Sequence, residues 1–273
     1  METSQKDYGK TLLLFTSGVD SLYTYSCDKN VDLVTIGGMQ TNYHRQQETW
    51  RSYSKAISTF AKDNGSKHYS VYNTGRVIHK EAALESDLPQ SWWILSHSVI
   101  MLGSIAPLAF RHNYLDVVIS STMTEEFDGF WGSAPSIDPL VAWGSTRVKH
   151  FGFDKSRYDK AELLVESGLQ KHILTCPFTH PQCGDCEKCY ATMLYMLSLG
   201  IDPNSCSWVV YPSTTFDKMK RFLEANRANL CSELWLDFSR RVKAKTVSEV
   251  WPGTIEFVNW LLPFIRERFG KLE

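Results

Sequence analysis

Short apolar runs that alternate with helical stretches constrain the fold of this chain most strongly. Residues 11–15 (TLLLF) form an apolar run followed directly by turn residues, which is typical of a buried strand. Residues 31–36, 68–72 and 115–120 are further strand candidates, and a last short strand is predicted at residues 172–174. Because helical patterns lie between these runs, the sequence predicts an α/β fold. Its core is an open, mainly parallel, doubly wound sheet with helices on both faces.

Helical patterns dominate the second half of the chain. The predicted helices are residues 20–27, 44–63, 92–110, 158–167, 188–199, 215–225, 231–242 and 254–269. A long polar loop is expected at residues 121–144, and no strand pattern follows residue 205. We therefore predict three segments: a catalytic domain over 1–175, a metal-binding module over 176–204 and a helical C-terminal extension over 205–273.

The composition describes an ordinary globular protein. The chain has 273 residues, of which 43% are hydrophobic and 22% are charged, enough to bury a sizeable core. The net charge of −1 provides no general attraction to nucleic acid or to an anionic membrane. No apolar stretch approaches the roughly 20 residues of a membrane span, and the polar N-terminus has no signal core. A cytoplasmic protein is expected.

The turn after the first strand, residues 16–21 (TSGVDS), has the chemistry of an anion site. Gly18 allows close backbone approach, Ser17 and Ser21 offer hydroxyl groups, and the start of the next helix favours negative charge. The turn has no lysine, which argues against a P-loop NTPase. Asp20 would repel phosphate, and fits better as a first-turn helix residue or as a Mg²⁺ contact. The alternative is a helix start capped by Thr16 or Ser17 that binds no ligand.

Four of the seven cysteines lie within fourteen residues, in the pattern C-x6-C-x2-C-x2-C. They are Cys176, Cys183, Cys186 and Cys189. Four thiolates complete a tetrahedral Zn²⁺ shell with no position for water, so the pattern predicts a structural zinc site. Gly184 suits the turn between two ligands. An iron–sulfur cluster is the competing interpretation, and His180 is an alternative ligand.

Residues 16–21 resemble the SGGxDS pyrophosphate loop of the N-type ATP pyrophosphatases, the PP-loop superfamily. The resemblance implies an adenine nucleotide alpha-hydrolase (HUP-like) fold, ATP and Mg²⁺ as cofactors, and cleavage of ATP between its α and β phosphates to adenylate a substrate. Thr16 replaces the first serine of the motif, and Ser17 replaces its first glycine. A serine at position 17 is expected to require a negative φ angle.

The loop and the late cysteine motif together resemble the 7-cyano-7-deazaguanine synthase family. Residues 158–162 (YDKAE), 43–48 (YHRQQE) and 125–130 (EEFDGF) match further segments of that family, and the resemblance covers residues 10–200. Family members use ATP to convert the carboxylate of 7-carboxy-7-deazaguanine into an amide and then a nitrile. This chain departs at residues 95–98 and 131–140. It resembles a divergent branch of the kind found among bacterial anti-phage defence proteins. The resemblance implies ammonia or another amine as the acceptor, including an amine on a protein or a nucleic acid.

The resemblance implies a role for each matching residue. Asp20 and Lys160 are the implied catalytic residues. The nucleotide would be bound by Thr16, Ser17, Gly18, Val19, Ser21, His44 and Arg45. The base would be bound by Glu126, Phe127, Phe130 and Asp138. As alternatives, Lys160 is a surface lysine, the carboxylates are solvated loop charges and the aromatic residues are core.

The implied partners are ATP, a 7-deazaguanine-type small molecule, a protein amine as acceptor, and a second copy of the chain in a homodimer. Nucleic acid is not expected as a direct substrate. Two competing functions remain open. One is a PP-loop enzyme that transfers sulfur to tRNA, which needs a reactive cysteine among Cys27, Cys206 and Cys231. The other is an inactive nucleotide-binding scaffold.

Overall fold

The structure is a computed structural model that describes residues 10–39, 47–75, 96–127, 131–176, 182–242 and 247–270. His44, Arg45, Phe130 and His180 lie outside the described residues, as does the side chain of Phe127. The chain forms two compact units, the first from Met1–Thr16 and Thr24–Asp154 and the second from Ser17–Tyr23 and Lys155–Glu273. The three-segment division at residues 175 and 204 remains a prediction.

The first unit contains a six-stranded sheet in the order β3-β2-β1-β4-β6-β5. The strands are β1 (Thr11–Leu14), β2 (Val31–Gly37), β3 (His68–Tyr72), β4 (Asp116–Ser120), β5 (Ala142–Trp143) and β6 (Thr146–Phe151). All neighbouring pairs are parallel except β5 with β6, which is antiparallel. The mainly parallel sheet is confirmed. The strand order reverses between β1 and β4, and ligands of open α/β sheets bind at such a point.

Helices cover both faces of this sheet. On one face, Leu12 of β1 and Val34 of β2 share an apolar core with Leu102 of helix α3 (His97–Arg111). On the other face, Phe15 stacks on Phe60 of helix α2 (Gln47–Asp63), with ring centroids 5.3 Å apart. Alternation of side chains along β1 separates the two cores, and the doubly wound arrangement is confirmed.

Helices make up most of the second unit. They are α4 (Arg157–Glu166), α5 (Glu187–Ser198), α6 (Pro212–Ala225), α7 (Ser232–Arg241) and α8 (Thr254–Phe269). Helix α1 (Val19–Cys27) also begins within this unit. Every residue of α5 from Cys189 to Leu197 is buried, so α5 is the central helix. Tyr195 on α5 stacks on Phe238 of α7, with ring centroids 6.1 Å apart. None of the described helices combines the length and the hydropathy that crossing a membrane requires.

The strand predictions missed β5 and β6 and included one strand that does not form. Strand β6 was not predicted, although its sequence TRVKHF alternates Val148, which is buried, with the exposed Arg147 and Lys149. The strand predicted at residues 172–174 does not form, and a short 3-10 helix, Gln170–His172, ends there. The backbone groups that follow this helix bond to one serine and to one glutamine side chain, not to a neighbouring strand.

Candidate functional site

Ser17, in the turn after β1, has a left-handed backbone conformation with φ of 54°. The expectation of a negative φ at this position was wrong. A residue with a Cβ pays roughly 1–2 kcal/mol for this conformation, so surrounding contacts must hold it. The Ser17 hydroxyl donates to the carbonyl of His172 at 2.7 Å, and the Leu174 N–H donates to the Ser17 carbonyl at 2.7 Å. Ser17 is only 2% exposed.

Helix α1 begins directly after this turn. The Leu22 N–H bonds to the Gly18 carbonyl at 2.9 Å, which makes Gly18 the first acceptor in the helix. The Ser21 hydroxyl donates to the same carbonyl at 3.3 Å. Val19 and Asp20 therefore lie in the first turn, where the backbone dipole favours an anion. In the first unit, the Thr16 carbonyl accepts from the Tyr53 hydroxyl at 2.5 Å.

Asp20 joins two cations from α4. The Arg157 guanidinium donates to Oδ2 of Asp20 at 2.7 Å, and Nζ of Lys160 lies 3.3 Å from Oδ1. We call these three residues the Asp20 cluster. Lys160 is completely buried, so it is not a surface lysine. Burial opposes ionisation of Asp20, but the charges of Arg157 and Lys160 prevail and lower its pKa from 3.8 to about 2.

The Asp20 cluster has an excess of positive charge, with two cations and one carboxylate. Burial opposes the charge of Arg157, yet the carboxylate of Asp20 raises the Arg157 pKa above its ordinary value. Lys188, at the start of α5, adds a further cation. Desolvation, and then the charge of Arg157, lower the pKa of Lys188, although this residue is exposed. An excess of positive charge beside a helix N-terminus is suited to a multivalent anion.

Sequence reasoning identified Lys160 and Asp20 but missed Arg157 and Lys188. Arg157 lies three residues before Lys160 on α4, and residues at that spacing share one face of a helix. This signal was present in the sequence. Lys188 carried no comparable signal, because its neighbours in the folded chain come from distant segments.

Helix α7 holds the start of α4 in place. The carboxylate of Asp237 accepts the Tyr158 N–H at 2.8 Å, and Asp237 is 2% exposed. Arg241, one turn further along α7, forms an ion pair with Asp159 at 3.2 Å. Ser156 completes a capping box with Asp159. Because these contacts secure the first turn of α4, they also secure Arg157.

The four predicted metal ligands lie together in the second unit. Their sulfur atoms are all within 4.8 Å of one another, with Cys176 and Cys183 3.4 Å apart and Cys183 and Cys189 3.7 Å apart. Sulfur atoms in a regular tetrahedron about 2.3 Å from zinc would be roughly 3.8 Å apart, so the cluster fits that metal. Gly184 has φ of 71°, and a Cβ there would lie 2.6 Å from Val210. The predicted glycine turn is present.

The residues predicted to read the base lie in the first unit. Glu126 is exposed at the end of a short 3-10 helix. Asp138 is fully buried, and its Oδ2 accepts from the Ser133 hydroxyl and from Nδ1 of His150, both at 2.7 Å. This carboxylate ties its loop to β6 in the structure, and its role in base recognition remains a prediction.

Comparisons with known proteins identify no family for this chain. No family model matches it, and no curated protein matches it. Among solved structures it is similar to an NH3-dependent NAD synthetase from Campylobacter jejuni subsp. jejuni NCTC 11168, in complex with the nitrate ion. The identity is 13%, the TM-score is 0.26, and the match covers 98% of this chain and 91% of that one. A TM-score this low supports neither a shared fold nor a shared function.

Proposed function

We propose that this protein is a PP-loop ATP pyrophosphatase that adenylates a small carboxylic acid and ligates it to an amine. The observation that carries the proposal is the Asp20 cluster, a largely buried group with excess positive charge beside the first turn of α1. Pyrophosphate is the most highly charged species in an adenylation reaction. A site that stabilises it as it leaves lowers the barrier to attack on the α phosphorus of ATP.

Each part of the cluster has a separate task in this proposal. Arg157 and Lys160 would neutralise the β and γ phosphates, and the first N–H groups of α1 would orient them. Asp20 holds both cations in register when no nucleotide is bound. The Ser17 hydroxyl already donates to His172, so phosphate would meet this residue through its backbone. Both carboxylate oxygens of Asp20 accept from cations, so this residue does not fit Mg²⁺ as a ligand.

The reaction would proceed in two balanced steps. An oxygen of the substrate carboxylate attacks the α phosphorus, and pyrophosphate leaves with the electron pair of the broken P–O bond. The amine nitrogen then attacks the acyl carbon of the acyl adenylate, AMP leaves and the nitrogen loses a proton. The proposed acid is of the 7-carboxy-7-deazaguanine type, as the sequence motifs imply. The proposed acceptor is ammonia or an amine on a protein.

Two of the three remaining cysteines argue against the thiol-transfer alternative, and the third, Cys27, is exposed. Burial raises the pKa of Cys206 to about 11 and that of Cys231 to about 12. Both are therefore protonated near pH 7, whereas a nucleophilic cysteine must be a thiolate. The cysteine cluster is proposed as a structural zinc site. Its four thiolates would leave the metal no open position for catalysis.

An ATP–pyrophosphate exchange assay tests the proposal. We expect labelled pyrophosphate to enter ATP only when 7-carboxy-7-deazaguanine is present. Exchange that requires RNA in place of this acid would support the thiol-transfer enzyme. The absence of exchange with either would leave the inactive scaffold.

Lys160→Met provides the matched test of the site. The variant removes one buried cation while the Asp20–Arg157 pair remains, so we expect the exchange rate to fall by about 10²–10³-fold. Lys171→Met, at an exposed position of the same unit, is the control and should exchange at the wild-type rate. Equal rates in the two variants would contradict the assignment.

A further inference from the structure

Residues 172–176 lie between the turn after β1 and the cysteine cluster. Their backbone groups form hydrogen bonds with Ser17 on one side and with Gln182 on the other. On one side, the His172 carbonyl and the Leu174 N–H both bond to Ser17, at 2.7 Å each. These bonds hold Ser17 in its left-handed conformation. The segment forms no strand, so the order of Ser17 depends on whatever holds residues 172–176 in place.

A single side chain, Gln182, bonds to the other side of this segment. Its Oε1 accepts from the Thr175 N–H and the Thr175 hydroxyl, both at 2.6 Å, and from the Cys176 N–H at 3.2 Å. Its Nε2 donates to the Ile173 carbonyl at 3.0 Å. Gln182 is 7% exposed and precedes Cys183, one of the four clustered cysteines. Each polar atom of this amide therefore has a partner in the segment.

We propose that Gln182 is a positioning residue that couples the cysteine cluster to the phosphate-binding turn. A metal bound by the cluster would fix Cys176 and Cys183, which lie at the two ends of this hydrogen-bonded unit. Gln182 would transmit that order to residues 173–176, and His172 and Leu174 would pass it to Ser17. The inference rests on the proposed function only in giving Ser17 a role in binding phosphate. The coupling itself is a property of the fold.

The test compares Gln182→Ala with Gln170→Ala, a control in the same unit whose Oε1 has no hydrogen-bond partner. Both variants keep all four cysteines, so both should retain the zinc content of the wild type. The Kd for pyrophosphate, measured by calorimetry, should rise about tenfold in Gln182→Ala, because four buried hydrogen bonds are lost. It should stay within twofold in Gln170→Ala.

Hydrogen exchange of the backbone amides at residues 17–22 provides a second readout that needs no ligand. Exchange should become faster in Gln182→Ala, and also in the wild type after a chelator removes the metal. If pyrophosphate does not bind to the wild type while these amides still respond, the coupling stands and the proposed function fails. If pyrophosphate binds to the wild type and to Gln182→Ala equally, the coupling fails and the proposed function stands.

Ser17→Gly separates positioning from a general loss of stability. Glycine adopts a positive φ without the penalty of a Cβ, so the turn should depend less on Gln182. In the Ser17→Gly background, Gln182→Ala should raise the Kd by less than about threefold. A full tenfold effect in that background would overturn the proposal. If Gln182→Ala does not fold, Gln182→Glu keeps the acceptor oxygens, loses the donor to Ile173 and should give a smaller effect in the same direction.

Discussion

Asp138 in the first unit is buried, the side chain of Asp20 in the second unit is 15% exposed, and these two aspartates have opposite electrostatic settings. Asp138, in the first unit, accepts from one serine and one histidine of its own neighbourhood. Asp20, in the second unit, is outnumbered by Arg157 and Lys160. In the first arrangement, Oδ1 of Asp138 and Nε2 of His150 are buried and have no hydrogen-bond partner among the described residues. The second has an excess of positive charge, so under the proposed function Asp20 belongs to a binding site and Asp138 is structural.

The largest expected effect comes from removing the carboxylate of the second unit. Asp20→Ala removes the carboxylate beside the buried Lys160 and the partly exposed Arg157, so we expect the free energy of unfolding to fall by about 3–5 kcal/mol. Urea denaturation measures this change. Because the site becomes more positive, the variant should bind pyrophosphate more tightly than the wild type while losing exchange activity.

Asp20→Asn is the matched control, because it keeps the shape of the side chain and an acceptor oxygen. We expect it to be more stable than Asp20→Ala and equally inactive. If Asp20→Ala and the wild type unfold at the same urea concentration, the ion pairs of Asp20 with Arg157 and Lys160 do not stabilise the protein. If either Asp20 variant catalyses ATP–pyrophosphate exchange at the wild-type rate, the assignment of residues 16–21 as a pyrophosphate loop is wrong.

A smaller effect is expected for Asp138→Ala in the first unit. The substitution leaves His150 and Ser133 without their acceptor, which should cost about 1–3 kcal/mol of unfolding free energy. The Kd for pyrophosphate should not change by more than twofold. If the KM for the carboxylic acid rises strongly while stability is unaffected, Asp138 contacts substrate and the contrast between the two aspartates is wrong.

The smallest effect concerns pH and again separates the units. In the first unit, the Thr35 hydroxyl donates its hydrogen to the Phe15 carbonyl. The Thr35 oxygen therefore accepts from Nε2 of His68, and Nδ1 of the same imidazole accepts from the Ser58 hydroxyl. Burial lowers the pKa of His68 from 6.5 to about 4. The contribution of neutral His68 to the free energy of unfolding is complete above pH 6.5 and is lost as the pH falls toward 4. The contribution of Asp20 is lost only below pH 3.8, as the pH falls through 2.

Unfolding free energies measured from pH 7 to pH 3 test whether the contribution of His68 is lost at a higher pH than that of Asp20. His68→Gln keeps a donor for Thr35 but does not titrate, so its stability should be flatter than that of the wild type between pH 6.5 and 4. Asp20→Asn should follow the wild-type slope in that range. A His68→Gln curve parallel to the wild type would show that this histidine titrates normally.

The strands and helices could largely be predicted from local patterns. Strand β3 and helix α8 begin and end where the sequence predicted, because apolar spacing and flanking turn residues are local properties. Strand β6 could have been predicted too, since its alternation is visible in residues 146–151. The strand predicted at residues 172–174 failed because the backbone groups of this segment bond to Ser17 and Gln182 and not to a neighbouring strand.

The candidate site likewise has features that local sequence predicts and features that depend on tertiary contacts. The sequence alone determined the turn at residues 16–21, the spacing of the four cysteines and the presence of Lys160, since motif spacing is written along the chain. Only the tertiary structure decided that Lys160 is buried against Asp20, that Arg157 joins them, and that Ser17 has a positive φ. Burial and hydrogen-bond partners depend on segments more than a hundred residues apart, as the separations of 140 between Asp20 and Lys160 and 155 between Ser17 and His172 show. Local sequence patterns carry no record of such contacts.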